Sequence, residues 1–99
     1  MIIVYTRKAE NDLESIGDYI ALDNPARALS FIGELRQCCQ KIGKAPGVYA
    51  FVPRHQHNGI RRYVHGDYLI FYRIDQKKVE IIHILHGARY YEDILFSDV

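Results

Sequence analysis

Residues 59–89 read GIRRYVHGDYLIFYRIDQKKVEIIHILHGAR, and this stretch decides the fold. It contains three runs rich in β-branched and aromatic residues, at 59–65, 68–75 and 79–86. Gly66 and Asp67 separate the first two runs, and such a pair suits a two-residue hairpin turn with glycine first. A polar QKK separates the second run from the third. The stretch therefore predicts a three-stranded antiparallel meander.

Both faces of this predicted sheet are mostly apolar. Alternate residues of 68–75 and 79–86 fall on opposite faces, and Ile, Leu, Val, Phe and Tyr dominate each set. A sheet with two apolar faces needs a cover on each of them. We expect upstream helices to cover one face and a partner protein to cover part of the other.

The first half of the chain predicts a strand and two helices. Residues 2–6 form a short β-rich run, and Thr6 is suited to cap the helix that follows. That helix should stop near Leu22, because Asn24 and Pro25 are typical of a new helix start. The second helix should end by Gly43. The predicted core positions, at helical spacing, are Ala9, Leu13, Ile16 and Ile20, then Ala28, Ile32, Leu35, Cys39 and Ile42.

The order of these elements predicts one α+β domain over residues 1–99. It consists of a strand, a helical hairpin and then the three-stranded antiparallel meander, with both helices packed on one sheet face. Residues 48–58 have no clear period, and Pro53 argues against a central strand. We expect an ordered loop there, with Tyr49 and Phe51 tucked in. Residues 90–96 are expected to add a last turn or two of helix.

The charges of the chain are unevenly distributed. The formal net charge is +1, but residues 54–89 carry seven basic and three acidic side chains, and residues 90–99 carry only acidic ones. A nearly neutral protein is not expected to bind nucleic acid strongly, because such binding rests on neutralising many phosphates. The locally basic sheet segment is either a solvated face or a site for an anionic partner.

The cysteines and the N-terminal residues indicate the compartment. Cys38 and Cys39 are neighbours on a predicted helix, poorly placed to bond each other and typical of reduced thiols. The N-terminal MIIVYTRK lacks the apolar stretch of a signal peptide, and no apolar run reaches transmembrane length. We therefore expect a cytoplasmic protein with no membrane partner.

No standard catalytic or cofactor signature is present in the sequence. A phosphate loop, GxSxG, HExxH and paired zinc cysteines are all missing, so we expect no cofactor. His55 and His57 form only a weak two-ligand pair, and we expect no metal. The candidate functional side chains lie in or just after the meander: Arg61, Arg62, Arg73, His83, His86, Arg89, Tyr90 and Tyr91.

These side chains fit two interpretations. A ribonuclease needs a base, an acid and positive charge for the phosphorane, which His, Tyr and Arg can supply. In the alternative, the arginines pair with carboxylates and the histidines are satisfied within the sheet. We favour that alternative for His83, which stands mid-strand among isoleucines.

Five segments resemble the RelE/ParE superfamily, the toxins of type II toxin–antitoxin modules. They are AENDLESIGDYI at 9–20, NPARA at 24–28, GIRR at 59–62, YLIFYRI at 68–74 and VEIIHILHGAR at 79–89. They follow the family's order, cover nearly the whole chain and resemble the ParE branch more than the RelE branch. The resemblance implies the family fold and a cognate antitoxin whose disordered segment folds over the toxin.

The resemblance also implies a function. ParE-like toxins poison DNA gyrase, so we expect a bacterial toxin that is not an enzyme and acts on gyrase by binding. The expected target contacts are Arg61, Arg62, Arg73, His86 and Arg89.

The alternatives are a ribosome-dependent mRNA endoribonuclease of the RelE kind and a non-toxic interaction module. In a nuclease, Arg73 would stabilise charge, and His86 or Tyr91 would act as acid or base. The loop before the second strand has only Arg54 where the RelE branch is lysine-rich. That departure favours the ParE-like interpretation.

Overall fold

The computed structural model describes residues 1–96 and confirms the predicted α+β order of elements. The strands and helices are β1 (Ile2–Tyr5), α1 (Arg7–Ala21), α2 (Pro25–Lys44), β2 (Ile60–His65), β3 (Tyr68–Asp75), β4 (Lys78–His86) and α3 (Tyr91–Phe96). Short 3-10 turns at Pro46–Val48 and Gln56–Asn58 lie in the loop between α2 and β2. Within residues 1–96, no helix has the length and apolar character needed to cross a bilayer.

Side-chain caps begin both long helices where the sequence predicts them. Thr6 Oγ1 accepts a hydrogen bond from the Ala9 amide at 3.1 Å, and Asn24 Oδ1 accepts one from the Arg27 amide at 3.0 Å. Each cap satisfies an amide that has no partner inside its helix. Pro25 occupies the first position of α2, where its missing N–H costs nothing.

The sheet has four strands in the order β1-β4-β3-β2. The meander of β2, β3 and β4 is antiparallel, as predicted. β1 adds a fourth strand, parallel to β4, and its pairing ends where Tyr5 meets Ile81. Thr6 then turns the chain into α1, because its amide donates to the Ile81 carbonyl and its hydroxyl to the Ile82 carbonyl.

The first hydrophobic core lies between the two long helices and one face of the sheet, which we call the helix face. Of the predicted helical core positions, Ile20 and Ile32 are partly buried and the others are buried. The sheet contributes fully buried side chains from β3 and β4, including Ile70, Tyr72 and Ile81. Both helices therefore pack on one sheet face, as predicted.

The buried side chains of this core include both cysteines. Cys38 and Cys39 are free thiols, as the sequence predicts. Burial raises the pKa of the Cys39 thiol to about 11, so this thiol stays protonated at neutral pH. Burial likewise raises the pKa of Tyr72 to about 12, and its hydroxyl donates to the Pro46 carbonyl.

The opposite side of the sheet, which we call the second face, is covered at its centre by the chain itself. The sequence led us to expect a partner to cover part of this face, but the chain itself covers its centre. Val52 from the loop before β2 is fully buried against Leu69, Phe71 and Leu85. Four residues of α3 close the cluster: Tyr91, Ile94, Leu95 and Phe96. Among residues 1–96, the large exposed apolar side chains of this face lie toward its margins.

The predicted hairpin turn is confirmed. Gly66 has a φ of +58°, and Asp67 beside it is not in the left-handed region. This pattern fits the two-residue turn with glycine first, which follows the natural twist of the strands. The turn between β3 and β4 uses Gln76 at a φ of +57°, where a side chain is conformationally costly.

Alanine substitutions at two glycines of α2 should change stability in opposite directions. A Cβ added to Gly43 would lie 2.8 Å from Ile3 Cδ1 and 3.0 Å from the Met1 carbonyl oxygen. Nothing lies within 4 Å of a Cβ added to Gly33. We expect Gly43→Ala to destabilise the protein by about 1 kcal/mol, because overpacking outweighs the gain in helix propensity. Gly33→Ala should stabilise it by about 0.5–1 kcal/mol.

Urea denaturation of both variants measures this difference. Equal effects of the two substitutions on the unfolding midpoint would contradict the close approach of β1 to the end of α2.

Candidate functional site

The arginines of the meander divide between the two sheet faces. In the register of β2 with β3, Arg61 pairs with Tyr72, and Arg62 pairs with Phe71. Side chains of paired residues share a face, and successive residues alternate. Arg62 therefore belongs to the second face and Arg61 to the helix face. Arg73 lies on the second face, since it pairs with Ile60 on one side and Glu80 on the other.

Arg61 holds the loop that precedes β2. One guanidinium nitrogen donates to the Gly47 carbonyl at 3.2 Å and to the Tyr49 carbonyl at 2.6 Å. The guanidinium also lies over the ring of Phe51, 3.9 Å from its centroid. Tyr49 and Phe51 are both partly buried, as predicted for this loop. The Arg61 guanidinium is therefore occupied by contacts with residues of its own chain.

Arg62 connects the sheet to α3. A guanidinium nitrogen of Arg62 donates to the Tyr91 hydroxyl at 3.3 Å. The Tyr91 ring packs against Phe71, with 5.1 Å between the ring centroids. Arg62 and Tyr91 therefore belong to the same part of the second face, and α3 is held there by both polar and aromatic contacts.

Arg73 is the most accessible of these three arginines. Its side chain is 48% exposed, and it donates to Glu80 Oε1 at 3.1 Å. Arg73 also lines a surface cavity of about 480 Å³. The other lining residues are His55, His57, Asn58, Ile60, Leu95 and Phe96. A guanidinium beside two imidazoles and an apolar wall is suited to bind an anionic group of a partner.

The two histidines of this cavity, His55 and His57, lie in the loop before β2, for which the sequence predicted no function. His55 Nε2 lies 2.7 Å from a carboxylate oxygen of Glu92. Its ring stacks on Phe96 with 4.0 Å between centroids, and the His57 ring is 6.2 Å away. In residues 1–96, no group of three or more His, Cys, Asp or Glu side chains is placed to hold a metal ion.

His86 lies far from Arg73. His86 pairs with Tyr68 at one end of β3, whereas Arg73 is five residues further along that strand. At about 3.3 Å per residue the separation along the strand is about 17 Å. His86 lies on the helix face, where its ring meets Tyr68 edge-on at 5.1 Å between centroids, and its Nδ1 accepts from the Ala88 amide.

The structure therefore does not bring together the three residues considered for a nuclease. Arg73 and Tyr91 share the second face, but His86 belongs to the other one. Arg89 is exposed in the turn between β4 and α3. Of the expected target contacts, only Arg62 and Arg73 lie on the second face, and Arg73 has a cavity beside it.

Comparison with known proteins gives a family match over most of the chain. Residues 3–91 match the family model described as the ParE toxin of the type II toxin–antitoxin system parDE. The chain belongs to the ParE toxin family. This assignment confirms the resemblance to the RelE/ParE superfamily and its ParE-like branch. No curated protein sequence matches this ParE toxin significantly.

Solved structures resemble the ParE toxin over most of its length. One match is the chromosomal ParDE toxin–antitoxin system from P. aeruginosa, with 25% identity and a TM-score of 0.75. It covers 87% of this chain and 95% of that one. The toxin–antitoxin complex RelBE2 from Mycobacterium tuberculosis matches with 21% identity and a TM-score of 0.65, over 86% and 95% of the two chains. The second likeness shows a shared fold.

Proposed function

We propose that this ParE toxin inhibits bacterial DNA gyrase by binding it, and that a cognate antitoxin neutralises the toxin in the cytoplasm. The observation that carries the proposal is the match to the ParE family over residues 3–91. Gyrase is the target for which ParE-like toxins are known. The proposed action is inhibition by contact, without a chemical step performed by the toxin.

The second face supports a role in binding. It presents Arg73 beside a cavity that also holds His55 and His57, and Arg62 lies on the same face. These groups suit an acidic segment of a protein target, because a guanidinium forms strong charge-assisted bonds with carboxylates. The separation of Arg73 from His86 across the sheet also supports binding over the nuclease alternative.

The margins of the second face support an antitoxin partner. The apolar side chains of Ile2, Val4 and Val64 lie on this face and are 72%, 37% and 61% exposed. They flank the part that the chain covers with its own loop and α3. An antitoxin segment that folds onto the toxin would bury them. The P. aeruginosa structure is described as a ParDE toxin–antitoxin system, which supports the same kind of partner here.

A gyrase assay tests the proposed target. Purified ParE toxin should inhibit supercoiling of relaxed plasmid by gyrase in proportion to its concentration, and should raise the yield of cleavage complexes. Gyrase that works normally in excess toxin would remove gyrase as the target. Mapping transcript ends in cells that express the toxin provides the second arm, because new cleaved ends would indicate the RelE-like alternative.

Growth on induction tests the neutralisation separately. Expression of the toxin alone should arrest growth, and co-expression of a short reading frame adjacent to its gene should restore it. Normal growth without any partner would favour the non-toxic interaction module.

A further inference from the structure

A carboxylate–imidazole pair joins α1 to β4 outside the cavity that Arg73 lines. His83 Nδ1 lies 2.6 Å from Asp12 Oδ2, and the same oxygen accepts the Ile84 amide at 2.9 Å. The pairing of β1 with β4 ends at Ile81, before this contact. Asp12 therefore accepts from a β4 amide, that of Ile84, which β1 no longer pairs with. The pairing of β4 with β3 skips Ile82, directly before His83. Such a β-bulge commonly redirects the side chains beside it.

Within the part of the chain that the structure describes, the other ring nitrogen of His83 has no hydrogen-bond partner. A carboxylate only accepts hydrogen bonds, so in the neutral imidazole Nδ1 carries the proton and Nε2 carries a lone pair. The His83 side chain is 10% exposed. Within residues 1–96, no fully buried side-chain nitrogen or oxygen lacks a hydrogen-bond partner. Because Nε2 makes no hydrogen bond there, it keeps some surface open to solvent, and His83 lines a cavity at that surface.

Several hydrogen-bond acceptors lie in the wall of that cavity, which is otherwise mostly apolar. It has a volume of about 620 Å³ and lies between α1 and α3, lined by Lys8, Asn11, Asp12, His83, Asp93 and Ile94. Two carboxylates and one ammonium give the lining a formal net charge of −1. Neither Lys8 nor Asp93 takes part in an ion pair within residues 1–96. Asp12 Oδ1, Asp93 and His83 Nε2 are therefore all available to a donor.

We propose that this cavity binds the guanidinium group of an arginine presented by a partner polypeptide. A guanidinium carries a positive charge and five planar N–H donors, which match the several acceptors that line this cavity. Three of the lining residues, Lys8, Asn11 and Asp93, are exposed, so the cavity is open to solvent and a side chain can enter it from outside. This site lies beyond the proposed gyrase contact and does not depend on it.

Nuclear magnetic resonance of the histidine rings tests the site. The probe is N-acetyl-L-arginine amide, titrated into the ¹⁵N-labelled protein while the His83 Nε2 resonance is followed. We expect a saturable shift of the His83 Nε2 resonance as it accepts a bond from the probe. The uncharged citrulline analogue and N-acetyl-L-lysine amide should each bind roughly tenfold more weakly.

Two matched variants sharpen the test. Asp93→Asn should weaken binding of the arginine probe roughly tenfold, because it removes one charged acceptor. It should not change folding, because Asp93 is exposed. Asp18→Asn, an exposed carboxylate of α1 outside this cavity, should leave binding unchanged. The proposal would be overturned by a lack of saturation, by equal binding of the citrulline or lysine analogue, or by full binding of the arginine probe to Asp93→Asn. Tighter binding of free L-arginine would indicate an amino-acid site instead of a polypeptide site.

Discussion

Replacement of Leu35 by alanine is expected to lower the free energy of unfolding by about 3–4 kcal/mol. Leu35 has no exposed surface and lies in the core between α2 and the helix face of the sheet. The loss combines the transfer free energy of the removed methyl groups with the cost of the cavity that they leave. For a domain of this size, such a loss lowers the melting temperature by roughly 10–20 °C.

Leu29→Ala is the matched control on the same helix. Leu29 is 80% exposed, so the identical chemical change should alter stability by no more than about 0.5 kcal/mol. Urea denaturation should show a large shift of the midpoint for Leu35→Ala with an unchanged slope. Ile16→Ala, on the buried face of α1, should cost about 2–4 kcal/mol. Wild-type-like melting of Leu35→Ala would mean that the buried face of α2 is misassigned.

The two long helices could be predicted because their signals in the sequence are local. Caps at Thr6 and Asn24 and apolar residues at helical spacing act over a few residues, so one sequence contains the whole signal. The same is true of the Gly66 hairpin, whose turn geometry depends on one residue. These local features were predicted correctly.

Features that depend on distant pairings were not predicted. The parallel pairing of β1 with β4 joins residues more than seventy positions apart, and no local pattern specifies it. The cover of the second face by Val52 and α3 likewise depends on where the chain returns to the sheet. An apolar second face in the sequence indicates that a cover exists, but not whether the chain or a partner provides it.

The candidate site shows the same limit. Strand alternation alone could have placed Arg61 and Arg62 on opposite faces, since they are neighbours in β2. The grouping of Arg73 with His55 and His57 could not be read from the sequence, because it requires the loop to fold back over the second face. Asp12 lies among polar residues of α1, so nothing in the sequence distinguishes it from them or predicts its hydrogen bond with His83.

Replacement of Arg73 by alanine is expected to weaken inhibition of gyrase at least about tenfold while leaving the fold intact. The bond from Arg73 to Glu80 is a half-exposed ion pair, and such pairs contribute about 0–1 kcal/mol to stability. Loss of a charged group that becomes buried in an interface costs about 2–5 kcal/mol of binding. The effect on binding should therefore exceed the effect on stability.

Arg27→Ala is the control for Arg73→Ala. Arg27 is a half-exposed arginine that also pairs with a glutamate, Glu34, but it lies on α2 and not on the second face. Supercoiling assays should show normal inhibition by Arg27→Ala and weakened inhibition by Arg73→Ala, with similar melting temperatures for both. Equal loss of inhibition in the two variants would indicate a general effect of positive charge. Unfolding of Arg73→Ala with retained inhibition would make the Arg73–Glu80 pair structural, because the guanidinium would then stabilise the sheet without contacting the target.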